Sequence, residues 1–171
     1  MYLIKVYFFI FIMFNCNAIS IAQNIGDPLN EIKTQQTKWG HATPATTKYK
    51  PQKILYDLSS GDENYFDNIL DRVSYLFKLY NSDVFESSIV VIVHGDAIPF
   101  FAIDKFTQFK QRMIRAQSLT VGSTIEFRMC EAAAKVLNYA PKDIHGFVKM
   151  VPMADAEIVR LQNEEGYAYM Q

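Results

Sequence analysis

Residues 88–95 read SIVVIVHG, and this short segment decides the fold class. After Ser88, β-branched apolar residues follow without a polar interruption as far as Val93. Such a run is typical of a central strand in a parallel sheet, which helices cover on both faces. His94 and Gly95 then end the strand. The segment therefore predicts an α/β protein with a buried, mainly parallel sheet.

On both sides of this strand, short apolar runs alternate with amphipathic stretches, the pattern of βα units. The first helix follows Ser60-Gly61-Asp62-Glu63, which fits a capping box with Ser60 as the N-cap. With right-handed crossovers, the units predict a three-layer α/β/α sandwich with a five-stranded sheet, flavodoxin-like in outline. The other predicted strands are Lys53–Leu58, Ser123–Arg128, Gly146–Val151 and Tyr167–Met170; the predicted helices include residues 66–80, Asp104–Gln117, residues 130–137 and Met153–Glu164.

The amino terminus predicts export. One lysine, Lys5, precedes the apolar run 6–14, and Ser20-Ile21-Ala22 has the small-x-small form of a cleavage site, so residues 1–22 are predicted to be a signal peptide. The apolar run is shorter than the roughly 20 residues of a membrane span. Lipidation at Cys16 is the alternative, but Asn15 stands where a small residue is required. We therefore expect a periplasmic or secreted protein without a stable membrane anchor.

The remaining chain is predicted to hold a polar N-terminal arm or linker, residues 23–52, and one domain, residues 53–171. Apolar residues make up 50% of the sequence and charged residues 20%, as in globular proteins, and the net charge of -1 predicts no nucleic-acid partner. No glycine loop for phosphates and no nucleophile elbow is present. The three histidines have no metal-site spacing. We predict neither a cofactor nor a metal.

Two candidate site residues follow strands of the predicted sheet. Cys130, the only cysteine expected in the mature chain, lies where the third strand turns into a helix. The helix dipole, free amide groups and Arg128 would stabilise a sulfur anion there, whereas Glu131 would oppose it. His94 follows the second strand, and because parallel strands end at one edge, it shares that edge with Cys130. The competing interpretations are a packed thiol and a histidine that only stabilises a turn.

Four segments together resemble the DsrE/DsrF-like family: His94-Gly95-Asp96, then FRMC at 127–130, KMVP at 149–152 and LQNEEGYAY at 161–169. The resemblance covers residues 53 to 171. It implies a five-stranded α/β sandwich that assembles into trimers or hexamers. It also implies that Cys130 accepts sulfane sulfur as a persulfide and passes it on. The relay proteins of that family are cytoplasmic, whereas this chain is predicted to be exported.

Two functional hypotheses remain open. The first is an exported single-cysteine sulfur carrier or sulfurtransferase-like protein, with Cys130 as nucleophile and His94 as support, that exchanges sulfur with a donor or acceptor protein. A disulfide oxidoreductase would require a Cys-x-x-Cys pair, which the sequence lacks. The second is a non-catalytic homo-oligomeric binding or accessory protein on the same scaffold. The reactivity of the thiol separates the two.

Overall fold

A computed structural model of the chain describes residues 39–171. The predicted signal peptide, Cys16 within it, and residues 23–38 of the predicted arm lie outside the described residues. The chain divides into two units, Met1–Thr46 and Thr47–Gln171. Of the first unit, residues 39–46 are described, and they form neither a helix nor a strand.

Among residues 39–171, no helix is both long enough and apolar enough to cross a membrane.

The second unit alternates strands and helices along the chain. Short 3-10 helices lie at Gly95–Phe101, Ile103–Lys105 and Pro141–Asp143. The strands are β1 (Lys53–Leu58), β2 (Ser88–Val93), β3 (Ile125–Cys130), β4 (Val148–Val151) and β5 (Ala168–Met170). The helices are α1 (Glu63–Leu79), α2 (Phe106–Thr120), α3 (Glu131–Val136) and α4 (Ala154–Glu165).

The strands form one five-stranded sheet in the order β4-β3-β2-β1-β5. All four pairings are parallel. The predicted central strand is confirmed, because β2 lies in the middle and every side chain from Ile89 to Val93 is fully buried. The three-layer sandwich is therefore confirmed as well, and its sheet is entirely parallel.

Helices cover the two faces of the sheet unequally. One face packs against α1 and α2, whose buried side chains include Phe66, Ile69 and Met113, and this is the larger core. The other face packs against α4 in a smaller group that we call the α4-side core. Its buried members are Leu55, Val90, Ile92, Cys130, Ala154, Leu161 and Tyr167. Alternation along each strand assigns successive residues to the two cores.

The capping box predicted at the start of α1 is wrong. Asp62, not Ser60, is the N-cap, and its Oδ1 accepts hydrogen bonds from the backbone N–H of Asn64 at 2.7 Å and of Tyr65 at 3.4 Å. Ser60 lies in the turn before the helix, where its Oγ accepts a hydrogen bond from the backbone N–H of Asp62 at 3.1 Å. Aspartate is as good an N-cap as serine, and the turn before the helix decides which of them occupies that position.

Strand β3 runs two residues later than predicted, from Ile125 to Cys130 instead of from Ser123 to Arg128. Ser123 belongs to the preceding turn, where its Oγ donates to the carbonyl of Leu119 and accepts from the N–H of Ile125. The shift makes Cys130 the last residue of the strand. The helix that follows, α3, has only six residues.

Candidate functional site at the carboxyl edge of the sheet

The loops that follow the strands meet at one edge of the sheet, as the topology predicts. Gly95, just after β2, has a φ of +55°, and a Cβ atom added there would lie 3.1 Å from the carbonyl oxygen of Ser59 after β1. A side chain at this position would be strained both by its backbone angle and by that contact. After β3, the N–H of Ala132 donates to the carbonyl of Pro152, which follows β4, at 3.2 Å.

Cys130 lies at this edge, at the junction between β3 and α3. It is the N-cap of α3, and its Sγ accepts a hydrogen bond from the N–H of Ala133 at 3.4 Å. The predicted strand-to-helix position of the thiol is therefore observed. The helix is short, so the single N–H donor, rather than a long helix dipole, is the polar contact made by the sulfur.

The surroundings of Cys130 are otherwise apolar. The residue is 5% exposed and belongs to the α4-side core, together with Leu55, Ile92 and Leu161. Little of the thiol surface is therefore accessible to a reagent in solution in this conformation. Access requires movement of the side chains that cover it, among them those of α4.

His94 is the neighbour of Cys130 in the sheet. The last pair of the β2–β3 ladder joins Val93 to Met129, so one residue further on His94 stands beside Cys130. The backbone of His94 is still extended, and its N–H donates to the carbonyl of Leu58 at 3.1 Å. By alternation, both side chains belong to the face that α4 covers. Extension of the register thus places the two predicted site residues on adjacent strands at this edge.

The imidazole of His94 is held by an acidic residue that the sequence analysis did not select. His94 Nε2 lies 2.7 Å from Asp57 Oδ1, and the hydroxyl of Tyr169 donates to Asp57 Oδ2 at 2.6 Å. The side chains of His94 and Asp57 are 26% and 18% exposed. We call Asp57, His94 and Tyr169 the edge network.

Register explains why these three side chains meet. Asp57 pairs with Ile92 of β2, and His94 is two residues beyond Ile92 on the same face. On the other side, Leu55 pairs with Tyr169 of β5, and Asp57 is two residues beyond Leu55. Diagonal neighbours on one face of a sheet are within reach of long and aromatic side chains.

Each member of the edge network has a shifted pKa. The hydrogen bond from His94 lowers the pKa of Asp57 against the opposing effect of burial. The hydrogen bond to Asp57 raises the pKa of His94, with smaller contributions from the charges of Asp57 and Asp155. The Asp57 hydrogen bond also raises the pKa of Tyr169, and burial adds to this. The network therefore favours a carboxylate beside an imidazole with increased affinity for a proton.

A cleft of about 310 Å³ reaches the network from solvent. It is lined by Asp57, Ser59, Tyr65 and Gln171. The hydroxyl of Tyr65 donates to the backbone carbonyl of Asp57 at 3.2 Å, so α1 also contacts the residue. Solvent therefore reaches Asp57, whereas Cys130 does not line this cleft.

The sequence contains a signal for Asp57, although Asp57 is not among the residues predicted for the site. The first strand reads KILYDL, and Asp57 is its only acidic residue, one position from the carboxyl end. A carboxylate is costly in a buried strand unless a partner stabilises it, so it indicates a partner from another strand. The identity of that partner depends on strand order, which places β1 between β2 and β5.

Arg128 does not support the thiol as the sequence analysis suggested. Its guanidinium is paired with Glu126 and with Glu157 of α4, at 2.8 Å and 2.5 Å. Both partners are carboxylates, and they neutralise the positive charge of the guanidinium. The hydrogen bond that the sulfur of Cys130 accepts comes from the backbone N–H of Ala133 and not from this guanidinium.

Among residues 39–171, no group of three or more histidine, cysteine, aspartate or glutamate side chains is arranged to hold a metal ion.

Comparisons with known proteins bear on the fold. No family model matches the chain. No curated protein matches it either. Among solved structures, it is similar to MTH1491, a protein of unknown function from Methanobacterium thermoautotrophicum, with 18% sequence identity and a TM-score of 0.55. The similarity covers 70% of this chain and 97% of that one, and it supports the α/β architecture.

Proposed function

We propose that this protein is an exported sulfur carrier of the DsrE/DsrF-like kind, with sulfane sulfur held as a persulfide on Cys130. The observation that carries the proposal is the juxtaposition of Cys130 and His94 on neighbouring strands at the carboxyl edge. The sulfur of Cys130 accepts a backbone N–H bond, and the adjacent strand carries an imidazole that can exchange protons, two features that favour sulfur transfer. The alternation of the strands supports the same conclusion, since it directs both side chains to one face.

The transfer step moves one sulfur atom and is balanced without an outside oxidant. The sulfur of Cys130 attacks the outer sulfur of a persulfide donor, R–S–SH, and a new S–S bond forms as the donor's S–S bond breaks. The thiol proton passes to His94, and the imidazolium returns it to the departing R–S⁻. The products are Cys130–S–SH and R–SH. Reaction of Cys130–S–SH with an acceptor thiol regenerates Cys130.

A second candidate function is favoured by the burial of the thiol. Cys130 is 5% exposed among apolar side chains, as a residue that only fills space would be. On this reading the protein is a non-catalytic binding or accessory protein, and the edge of the sheet binds a partner or small ligand without covalent chemistry. The two functions differ in whether Cys130 reacts while the protein is folded.

The test is the mass of the protein after exposure to a sulfane-sulfur donor. The full chain with Cys16→Ser has Cys130 as its only thiol. We expect incubation of the native protein with inorganic polysulfide to increase its intact mass by one sulfur atom, and a thiol reductant to reverse the gain. Cys130→Ser in the same background is the matched control and should gain nothing.

The opposite result is also well defined. A native protein whose mass stays unchanged, while the same protein in urea is fully modified, would show that the thiol is sealed. The carrier function would then be rejected and the accessory function retained.

Self-association into a homo-oligomer, a trimer or hexamer by family resemblance, is part of the proposal. Phe85, Val121 and Val136 are large apolar side chains with most of their surface exposed, and association is one way to cover such surface. We expect light scattering at micromolar concentration to give the mass of three or six subunits. A stable monomer under these conditions would contradict this part of the proposal.

A further inference from the structure

The edge network contains a geometric constraint on His94 that the sulfur-carrier proposal does not use. Asp57 is flanked by two donors, His94 Nε2 at 2.7 Å on Oδ1 and the hydroxyl of Tyr169 at 2.6 Å on Oδ2. An ionised carboxylate can only accept hydrogen bonds. The nitrogen that faces Asp57 must therefore carry the proton. In neutral His94, the lone pair is then on Nδ1.

We propose that Asp57, itself oriented by Tyr169, is a positioning residue that keeps the proton of neutral His94 on Nε2 and so makes Nδ1 the nitrogen that exchanges protons during sulfur transfer at Cys130. The inference rests on the proposed function for the identity of the reaction. The tautomer itself follows from the contacts and stands without it.

The groups around His94 support this assignment from several elements. Asp57 comes from β1, Tyr169 from β5 and Asp155 from the first turn of α4, while Cys130 occupies the adjacent position of β3 in the sheet register. Asp57 makes the hydrogen bond, whereas Asp155 acts on His94 only through its charge. Tyr65 contacts Asp57 through the backbone carbonyl and leaves both carboxylate oxygens to His94 and Tyr169.

The arrangement has a chemical consequence for both halves of the transfer. In the first half, Nδ1 of neutral His94 accepts the thiol proton while Nε2–H continues to donate to Asp57. The imidazolium that forms lies against a carboxylate, which stabilises it. In the second half, the same nitrogen returns the proton to the leaving thiolate. Without Asp57, the imidazole can rotate and populate the other tautomer.

The test combines a spectroscopic measurement with a rate. NMR of the ¹⁵N-labelled Cys16→Ser chain reports the protonation of each imidazole nitrogen through a pH titration, and His94→Gln identifies the signals. We expect neutral His94 to carry its proton on Nε2 only. Asp57→Ala should give a mixture of tautomers, and persulfide formation at Cys130 should slow by roughly tenfold or more.

Two further variants separate the hydrogen bond from the charge. Asp57→Asn keeps an oxygen that can accept from Nε2 but removes the charge, so we expect the tautomer to remain while the pKa of His94 falls. Asp155→Asn, the matched control, removes a nearby charge without removing a hydrogen bond, and it should leave the tautomer and the transfer rate close to those of the parent chain.

Failure of the inference and failure of the proposed function give different results. A neutral His94 protonated on Nδ1, or an Asp57→Asn variant that loses the Nε2 tautomer, would overturn the positioning role whatever Cys130 does. The same holds for an Asp57→Ala variant that folds and transfers sulfur at the parental rate. If Cys130 never gains sulfur but the tautomer and its dependence on Asp57 are as expected, the carrier function is rejected and the structural assignment of His94 is upheld.

Discussion

Replacement of Arg128 by methionine is expected to destabilise the protein by about 1.5–3 kcal/mol, because it removes charge-assisted hydrogen bonds to Glu157 and Glu126, although Glu157 keeps its bonds to Arg160. The side chains of Arg128 and of its partner Glu157 on α4 are 9% and 13% exposed. Hydrogen bonds from Arg160 and Arg128 hold the pKa of Glu157 at about 2, so this group is ionised at neutral pH. Urea unfolding measured for the parent and Arg128→Met chains gives the difference in free energy of unfolding.

The control for this prediction is an arginine in an exposed pair. Arg115 of α2 pairs with Asp71 of α1, and their side chains are 38% and 71% exposed. Arg115→Met should cost no more than about 1 kcal/mol. Combining Arg128→Met with Glu157→Leu removes both charges of the pair and should recover part of the loss, because Arg160, which also contacts Glu157, is 38% exposed and keeps Glu165. Equal costs for Arg128→Met and Arg115→Met would show that burial of the Arg128 pair has no energetic importance.

Truncation of Leu161 is expected to have the second large effect, on both stability and thiol reactivity. Leu161 of α4 is fully buried and belongs to the same α4-side core as Cys130. Leu161→Ala should cost about 2–5 kcal/mol, since the cavity removes contacts that hold α4 on the sheet. If α4 opens locally, each 1.4 kcal/mol of lost stability makes opening about tenfold more frequent. We therefore expect Cys130 to be alkylated at least about tenfold faster in the Cys16→Ser background.

A leucine on the opposite face gives the comparison that this experiment needs. Leu70 of α1 is also fully buried, but it belongs to the larger core and not to the α4-side core. Leu70→Ala should destabilise the fold by a similar amount, about 2–5 kcal/mol, with a smaller effect on alkylation. Equal acceleration by both variants would mean that Cys130 is reached only by global unfolding, and this would count against the sulfur-carrier proposal.

The thiol of Cys130 is buried, whereas other groups of the candidate site are in contact with solvent. The site consists of a polar part, the edge network, which is in contact with a cleft, and an apolar part, which contains the sulfur of Cys130. Motions of α4 would connect the two, because its first turn carries Asp155 beside His94 and its third carries Leu161. The Arg128–Glu157 pair holds the same helix on β3.

The sequence predicted the strand positions at β1 and β2 to the residue, because each is a dense apolar run bounded by polar or turn residues. It did less well at β3, where the side chain of Ser123 closes a turn instead of starting the strand. It also did not predict the 3-10 helix Gly95–Phe101. The buried apolar residues of this helix pack in the larger core, but their spacing does not follow the period of an α-helix.

Some features of the candidate site follow from local sequence, and others depend on contacts between segments far apart in the chain. The local pattern was sufficient to bring Cys130 and His94 to one edge, since parallel strands connected by helices all end on the same side of the sheet. Apolar periodicity likewise determined the α/β class. Only the tertiary structure decided that Asp57 hydrogen-bonds to His94 and that Arg128 forms ion pairs with two glutamates. It also decided that residues of α4 pack in the same core as the thiol. Those contacts depend on strand order and register between segments far apart in the chain, and no local propensity encodes which strand becomes a neighbour.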